Sequence, residues 1–204
     1  MSNNSSRTMR FLQQENVRLQ EENQVLKEQV SALQRYVHAL QQLQETVHRF
    51  TPEQDILSLL DETMYCAMML LDTADGSLML VDDESNELVF VLVHGAVRET
   101  LPGYRFDQRK GIAGWVAENK QPAVVNDVRA DPRFISEVDE YFSFHTQSLV
   151  AVPLIARNRV YGVIEMVNKQ GGENFTDEDV SLLLIAATLC ASALDYAASG
   201  APEG

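Results

Sequence analysis

The sequence predicts an α+β protein: an antiparallel sheet with terminal helices on one face and a lid of loops and a short helix on the other, preceded by a long coiled-coil helix. Leucines recur every seven residues near the N-terminus, two helix-like segments bracket the rest, and hairpin patterns lie between them. This organisation predicts a disordered tail (1–8), a parallel coiled coil (9–50), a globular domain (51–198) and a second disordered tail (199–204).

The leading helix is indicated by apolar residues at heptad spacing. The d positions are Leu12, Leu19, Leu26, Leu33, Leu40 and Val47. Such a repeat is typical of a left-handed coiled coil. Asn16 and Asn23 fall at a positions, where their amides pair across a parallel dimer and a slipped register costs about 1–3 kcal/mol per unpaired amide. We therefore expect a parallel homodimer whose register these two residues set. The alternative is that the helix packs back on its own domain.

The globular part is expected to begin with a helix at Thr51, which precedes a proline. Two hairpins follow, turned at 83–86 and 156–159, with a short edge strand at YRFD. Between them we expect a short helix over 111–119, a strand over 122–125 and a partly helical loop over 132–144. The last helix is expected to begin at the N-cap Thr176 and to end near Ala198.

Charge and composition exclude several classes of protein. The formal net charge is −14, and residues 51–204 carry −15 because residues 1–50 sum to +1. Such acidity repels nucleic acid and anionic membranes, and the segment before the leucine repeat has too few basic residues for DNA binding. We expect no membrane span and no secretory leader, and therefore a cytoplasmic protein.

Candidate chemistry is sparse. Gly111 and Gly114 do not form a dinucleotide fingerprint, since no GxGxxG follows a strand. Their helix either offers backbone N–H groups to an anionic ligand or uses the glycines for packing alone. The histidines lack zinc-site spacing, and Cys66 and Cys190 fall on apolar helix faces as buried filler. We expect no catalytic residues and no metal.

From about residue 51 to 198 the sequence resembles the GAF family of sensory domains. Three segments carry the resemblance: GIAGWVAENKQPAVVNDVRADPRF, SLVAVPLIARNRVYGVIEMVNK and FTDEDVSLLLIAATLCASAL. It is most similar to the GAF domains of cyclic-nucleotide phosphodiesterases and adenylate cyclases, which carry Asn-Lys, then Phe, then Asp-Glu. Here these are Asn168-Lys169, Phe175 and Asp177-Glu178, with one residue between Phe and Asp where the family has three. The resemblance implies a structural ion pair of Lys169 with Asp177.

The resemblance also implies a small-molecule pocket between the sheet and the lid, with cyclic AMP or cyclic GMP as the ligand. The lid segment has the expected Phe134, Asp139, Phe144 and Thr146, with Ser143 in place of a glycine. The full set of expected ligand-binding residues is Arg105, Ile112, Ala113, Asn126, Phe134, Asp139, Phe144, Thr146 and Glu165.

These observations predict a non-catalytic sensory protein that binds a small molecule and signals through 51–72 into a dimeric coiled coil, with a separate output protein as a further partner. The alternative is a ligand-free dimerisation or scaffold protein whose pocket is plugged by the apolar lid. The presence or absence of a cavity discriminates between them. The sequence does not decide whether the chain is a fragment of a larger signalling protein, what the ligand or the output partner is, or in which direction the signal runs.

Overall fold

The computed structural model describes residues 9, 11–27, 29–30, 33–34, 37 and 56–199. They belong to two compact units, Met1–Gln41 and Gln42–Gly204. In the first unit, residues 11–27 form helix α1, and the other described positions up to 37 are helical as well. Leu40, Val47 and the predicted helix start at Thr51 lie outside the described residues.

Helix α1 exposes the apolar side chains of its heptad repeat. Leu12, Leu19, Leu26 and Leu33 are 52–62% exposed. Asn16 and Asn23 are exposed as well. On the polar surface, Arg18 donates to Glu15 and Glu22, one turn before and one turn after it, which supports the helix.

The second unit contains four helices and six strands among its described residues. In chain order these are α2 (Ile56–Leu71), β1 (Thr73–Asp82), β2 (Glu87–His94), β3 (Arg105–Asp107), α3 (Gly111–Asn119), β4 (Ala123–Val125), α4 (Glu137–Phe142), β5 (Leu149–Ala156), β6 (Arg159–Lys169) and α5 (Asp177–Ala198). Short 3₁₀ turns at Val128–Ala130 and Gln170–Gly172 complete the chain.

The six strands form one antiparallel sheet in the order β3-β2-β1-β6-β5-β4. The α+β fold and both predicted hairpins, β1–β2 and β5–β6, are confirmed. β1 begins at Thr73, directly after Asp72, which ends α2 in a left-handed conformation (φ 55°). The two longest strands, β1 and β6, are hydrogen-bonded to each other at the centre of the sheet.

Alternating side chains of the sheet build two cores. Leu78, Val152 and Ile164 face α2 and α5, where they join Leu60, Met64 and Leu183. Met79, Ala151 and Val163 face the other way, toward α3 and the lid. Because strand side chains alternate between faces, Glu165 lies on the lid side between two apolar neighbours of its own strand. The sheet thus separates a closed helix-side core from the face that carries the site.

Gly162 allows the central strands to approach closely. A Cβ atom at this position would lie 1.9 Å from the carbonyl oxygen of Met79 on β1. Any side chain larger than hydrogen would push β6 away from β1, so the register of the central pair depends on this glycine.

The start of α5 is fixed by a capping box, as the sequence predicts. The Thr176 hydroxyl accepts from the Asp179 N–H, and the Asp179 carboxylate accepts from the Thr176 N–H. Of the described helices, α5 alone is long and apolar enough to cross a membrane by length and composition. Its inner face packs on the sheet and α2 through Leu183, Ala187, Cys190 and Ala191, as expected of a core helix.

Candidate ligand-binding site

A cavity lies on the lid face of the sheet, beneath α3, α4 and the loops that flank them. About 120 Å³ of it can be occupied by the centre of a water molecule. Most of its wall is apolar. The sheet contributes Met79, Phe90, Leu149 and Val167, and the lid contributes Ile112, Phe134, Val138 and Phe142. The cavity can therefore bury a flat, partly apolar molecule.

Two carboxyl groups line the cavity from the sheet, Asp75 of β1 and Glu165 of β6. Asp75 accepts a hydrogen bond from the Ala96 N–H. Glu165 stands on β6 opposite Ser77 of β1 and Ala151 of β5. Among the described residues its carboxyl makes no hydrogen bond or ion pair. Burial raises its pKa from 4.5 to about 7, because removing a carboxylate from water disfavours the charged form. An acceptor that lacks a partner at the bottom of an apolar cavity is suited to a ligand donor.

The lid is held by the buried carboxylate of Asp139 on α4. It accepts from the Thr146 N–H at 3.0 Å, from the Thr146 hydroxyl at 2.6 Å and from Arg129 at 3.3 Å. We call these three contacts the lid clasp. Between the clasped residues, Ser143 ends α4 in the left-handed region (φ 53°), the conformation that favours the family's glycine. The turn is therefore kept despite the substitution.

The two glycines of α3 serve the backbone. Gly111 turns the chain into the helix with φ 74°, a conformation that favours glycine. It also lines the cavity. A Cβ at Gly114 would lie 2.7 Å from the carbonyl oxygen of Gln108, so this glycine packs against the preceding loop. The packing interpretation therefore holds for Gly114. The first residues of α3 reach the cavity as well, which leaves the anion-site interpretation open for their N–H groups.

Seven of the nine predicted ligand-binding residues line the cavity. They are Ile112, Ala113, Phe134, Asp139, Phe144, Thr146 and Glu165. Asp139 and Thr146 are hydrogen-bonded to each other in the lid clasp, whereas the carboxyl of Glu165 has no hydrogen-bond partner among the described residues. That these side chains contact a ligand stays a prediction.

The placement of Arg105 in the pocket is wrong. Its guanidinium donates to Asp82 at 2.6 Å and to Glu87 at 3.3 Å on the exposed surface of the sheet edge. The neighbouring Phe106 lines the cavity instead. Consecutive strand residues point to opposite faces, so only one of the two can enter the pocket.

The placement of Asn126 in the pocket is also wrong. Its amide donates to the carbonyl oxygen of Phe175 at 3.1 Å and accepts from the Phe175 N–H at 2.7 Å. Both contacts are with the backbone just before α5. Asn126 therefore holds the end of β4 to the start of the last helix and does not line the cavity.

The predicted ion pair of Lys169 with Asp177 is wrong in its acidic partner. Lys169 donates to Asp179 at 2.7 Å, and both side chains are largely buried, 13% and 5% exposed. Asp177 is exposed. Three residues separate Phe175 from Asp179, which is the family's spacing. The dipeptide Asp177-Glu178 resembles the family motif but does not contain the acidic partner of Lys169. The capping box could have identified Asp179, because it turns the side chain of the third helical residue inward.

Sequence reasoning missed His94 as a cavity residue. It ends β2, lines the cavity, and its Nε2 lies 2.8 Å from Oδ1 of Asp61 on α2. His94 thus touches both the cavity and the helix that precedes β1. Its position at the end of the predicted second strand of the first hairpin was the sequence feature that could have indicated this role. Within the described residues, no group of three or more His, Cys, Asp and Glu could hold a metal ion.

The fold and the site define a domain with a single antiparallel sheet, a helical layer behind it and an apolar, lid-covered cavity in front. Residues 55–194 match the GAF domain family, and the chain belongs to that family. A solved GAF domain of a phosphoenolpyruvate-protein phosphotransferase from Coxiella burnetii superimposes with a TM-score of 0.69 at 17% identity, covering 79% of this chain and 95% of that chain. At that identity the likeness is one of fold alone.

Two curated relatives are named as cyclic phosphodiesterases. A probable 3′,5′-cyclic phosphodiesterase, pde-5, of Caenorhabditis elegans is 34% identical over 70% of this chain and 21% of its own length. The dual 3′,5′-cyclic-AMP and -GMP phosphodiesterase 11A of Takifugu rubripes is 28% identical over 75% of this chain and 18% of its own length. The chain thus spans about a fifth of the length of these relatives.

Proposed function

We propose that the protein is a non-catalytic regulatory domain that binds a small molecule in the cavity, and that the ligand is a 3′,5′-cyclic nucleotide. The observation that carries the proposal is the apolar, lid-covered cavity with the unpartnered carboxyl of Glu165 at its sheet side. The relatives named as cyclic phosphodiesterases support this class of ligand.

The chemistry of the walls suits the two ends of such a ligand. None of the residues within 56–199 that line the cavity is lysine or arginine, so a phosphate has no side-chain cation to meet there. The start of α3, at Gly111, Ile112 and Ala113, offers backbone N–H groups at the positive end of a nine-residue helix. The base would lie among the aromatic lid residues, with an amino or hydroxyl donor directed to Glu165.

A route for the signal leads from the cavity to α2. His94 lines the cavity and contacts Asp61 of α2, and its ring lies 6.2 Å from that of Tyr65 on the same helix. A ligand that moves His94 changes contacts of α2 directly. Such coupling requires two arrangements of this contact with different ligand affinity.

The proposal includes a parallel homodimer formed by the leading helix and a separate output partner. Support for the dimer comes from the exposed heptad leucines of α1, which form a continuous apolar stripe with Asn16 and Asn23 at the intervening a positions. Light scattering on the full chain should give the mass of two subunits, and Leu19→Asp with Leu26→Asp should give one.

The cavity argues against the ligand-free scaffold alternative. The lid residues Phe134, Ile135, Val138 and Phe142 line the space and leave it unfilled. A plugged pocket would have placed these side chains against the sheet with no volume between them.

Calorimetric titration of the full chain with cyclic AMP and cyclic GMP tests the ligand. We expect binding of one or both. At pH 8, where the carboxyl is ionised, Glu165→Gln should weaken binding at least tenfold, because an amide replaces a charged acceptor by a weaker one. Glu173→Gln, an exposed carboxyl, is the matched control and should bind like wild type. Absence of any heat or thermal stabilisation with both nucleotides would remove them as ligands.

A further inference from the structure

The last turn of α5 carries an acidic side chain. Asp195 lies in this turn, and its carbonyl oxygen accepts from the Ser199 N–H at 3.0 Å. A carboxylate in the last turn of a helix lies at the negative end of the helix dipole, where it weakens the helix. The winding of this turn therefore needs support from outside α5.

That support comes from the hairpin of β5 and β6. Tyr161 donates its hydroxyl proton to Oδ1 of Asp195 at 2.8 Å, and Nε of Arg157 lies 2.9 Å from Oδ2. We call these two contacts the α5 tether. Both carboxylate oxygens are occupied, and the Asp195 side chain is only 13% exposed. Because the charge is compensated when the tether is made, the last turn of α5 is then wound.

The tether includes a residue of a strained turn. Arg157 and Asn158 connect β5 to β6, and both have positive φ, 45° and 67°. Two left-handed residues in succession are typical of a type I′ turn, which favours asparagine and glycine. An arginine in this conformation is strained. The turn therefore has an alternative in which Arg157 relaxes and its ion pair with Asp195 is lost, so that the end of α5 frays.

Helix α3 connects this turn to the cavity. Its first turn lines the cavity with Ile112 and Ala113. At its other end the Lys120 ammonium donates to the carbonyl oxygen of Asn158 at 3.0 Å. Since a nine-residue helix moves as one element, a displacement at the cavity end reaches the β5–β6 turn.

We infer that α3 couples the cavity to the last turn of α5, through Lys120 and the α5 tether. A ligand that holds the first turn of α3 favours the arrangement in which Lys120 supports the β5–β6 turn, so the end of α5 stays wound. The inference rests on the proposed function for its ligand. It goes beyond the route through His94, which leads to α2, because it brings the signal to a different helix.

Amide hydrogen exchange of the full chain, resolved by residue with nuclear magnetic resonance, tests the coupling. The amides of 196–199 report the fraying of the last turn. Lys120→Met keeps the aliphatic stem, removes the ammonium and should speed their exchange about threefold. Lys110→Met, at the exposed lysine that precedes α3, is the matched control and should leave them unchanged. The amide of Ile164, buried in β6, should exchange alike in all variants unless the whole domain is destabilised.

A second variant shows whether Lys120 acts through the tether. Arg157→Met breaks the ion pair and leaves the carboxylate of Asp195 in place, so it should also speed exchange at 196–199 about threefold. Adding Lys120→Met to Arg157→Met should then change the rate by less than about 1.5-fold, because the link is already broken. Effects that multiply would show that Lys120 acts elsewhere and would overturn the inference.

The part played by the ligand is measured with cyclic AMP and cyclic GMP at saturation. The nucleotide that binds in calorimetry should slow exchange at 196–199 about threefold in wild type and leave it unchanged in Lys120→Met. Binding that has no effect on these amides overturns the coupling and leaves the proposed function standing.

If neither nucleotide binds, the proposed ligand fails, and Ile112→Ala takes its place as the perturbation of the cavity end of α3. This variant should speed exchange at 196–199 in wild type and not in Lys120→Met. The same rates in both backgrounds, or unchanged exchange in Lys120→Met itself, would overturn the coupling.

Discussion

Replacing Glu165 by glutamine should stabilise the protein at pH 8 and leave its stability nearly unchanged at pH 5. In the unfolded chain this carboxyl loses its proton near pH 4.5, whereas burial beneath the lid raises its pKa to about 7. Between these values the folded state holds the extra proton. The free energy of unfolding therefore falls as the pH rises through this interval and stays low above it.

The size of the effect follows from the same two values. Each tenfold change in proton affinity is worth about 1.4 kcal/mol, so ionising Glu165 in the folded state costs about 3 kcal/mol above pH 7. Glutamine has the same shape and stays neutral, so Glu165→Gln avoids this cost. At pH 5 most of the difference disappears, leaving less than about 1 kcal/mol.

Urea denaturation of wild type and Glu165→Gln at pH 5, 6.5 and 8 measures this difference. Glu173→Gln, on an exposed loop, controls for the loss of one negative charge from an acidic protein. A stability gain that is the same at all three pH values would refute the reasoning. So would a loss of stability at pH 8, since it would mean that the ionised carboxyl has a favourable partner.

Three further perturbations follow from contacts of the sheet and α5. Lys169→Met leaves the buried carboxylate of Asp179 without its cation and should cost about 3–5 kcal/mol in urea denaturation, and a loss below about 1 kcal/mol would contradict the importance of this pair. Gly162→Ala places a methyl group against the Met79 carbonyl and should lower the unfolding free energy by about 1–3 kcal/mol, whereas an unchanged melting temperature would mean that β1 and β6 can separate freely. The pKa of the Cys190 thiol is raised to about 12 by burial, so peptide-level mass spectrometry should find it unmodified by iodoacetamide at pH 8 until the protein unfolds. Rapid alkylation of the native protein would show that α5 opens locally.

Local patterns were sufficient for most of the fold. The hairpins of β1–β2 and β5–β6, the short helix at Gly111–Asn119 and the capping box at Thr176 each depend on residues close in sequence, where turn and cap chemistry decide the structure. The cavity-lining positions on the lid followed from the family resemblance. What local patterns do not contain is the pairing of side chains from distant elements.

The errors at Arg105, Asn126 and Asp177 show this limit in physical terms. Arg105 is on an edge strand of three residues, too short for apolar alternation to reveal which side faces the cavity. Asn126 is defined by a contact with residue Phe175, forty-nine positions away. Asp177 and Asp179 are both acidic residues of one helical turn, and only the cap geometry distinguishes the inward one. His94 was missed for the same reason, since its partner is on α2.

The fold does not depend on an unbroken chain between β6 and α5. Residues 170–174 are all exposed, yet both sides are anchored: Lys169 to Asp179, and Phe175 to Asn126, which directly follows β4. A protease that cuts this loop would produce two fragments that remain assembled, because the anchors do not pass through the cleaved bond. New termini or a reporter insertion at Gly172 should be accepted for the same reason, which makes this loop the natural opening for a circular permutant.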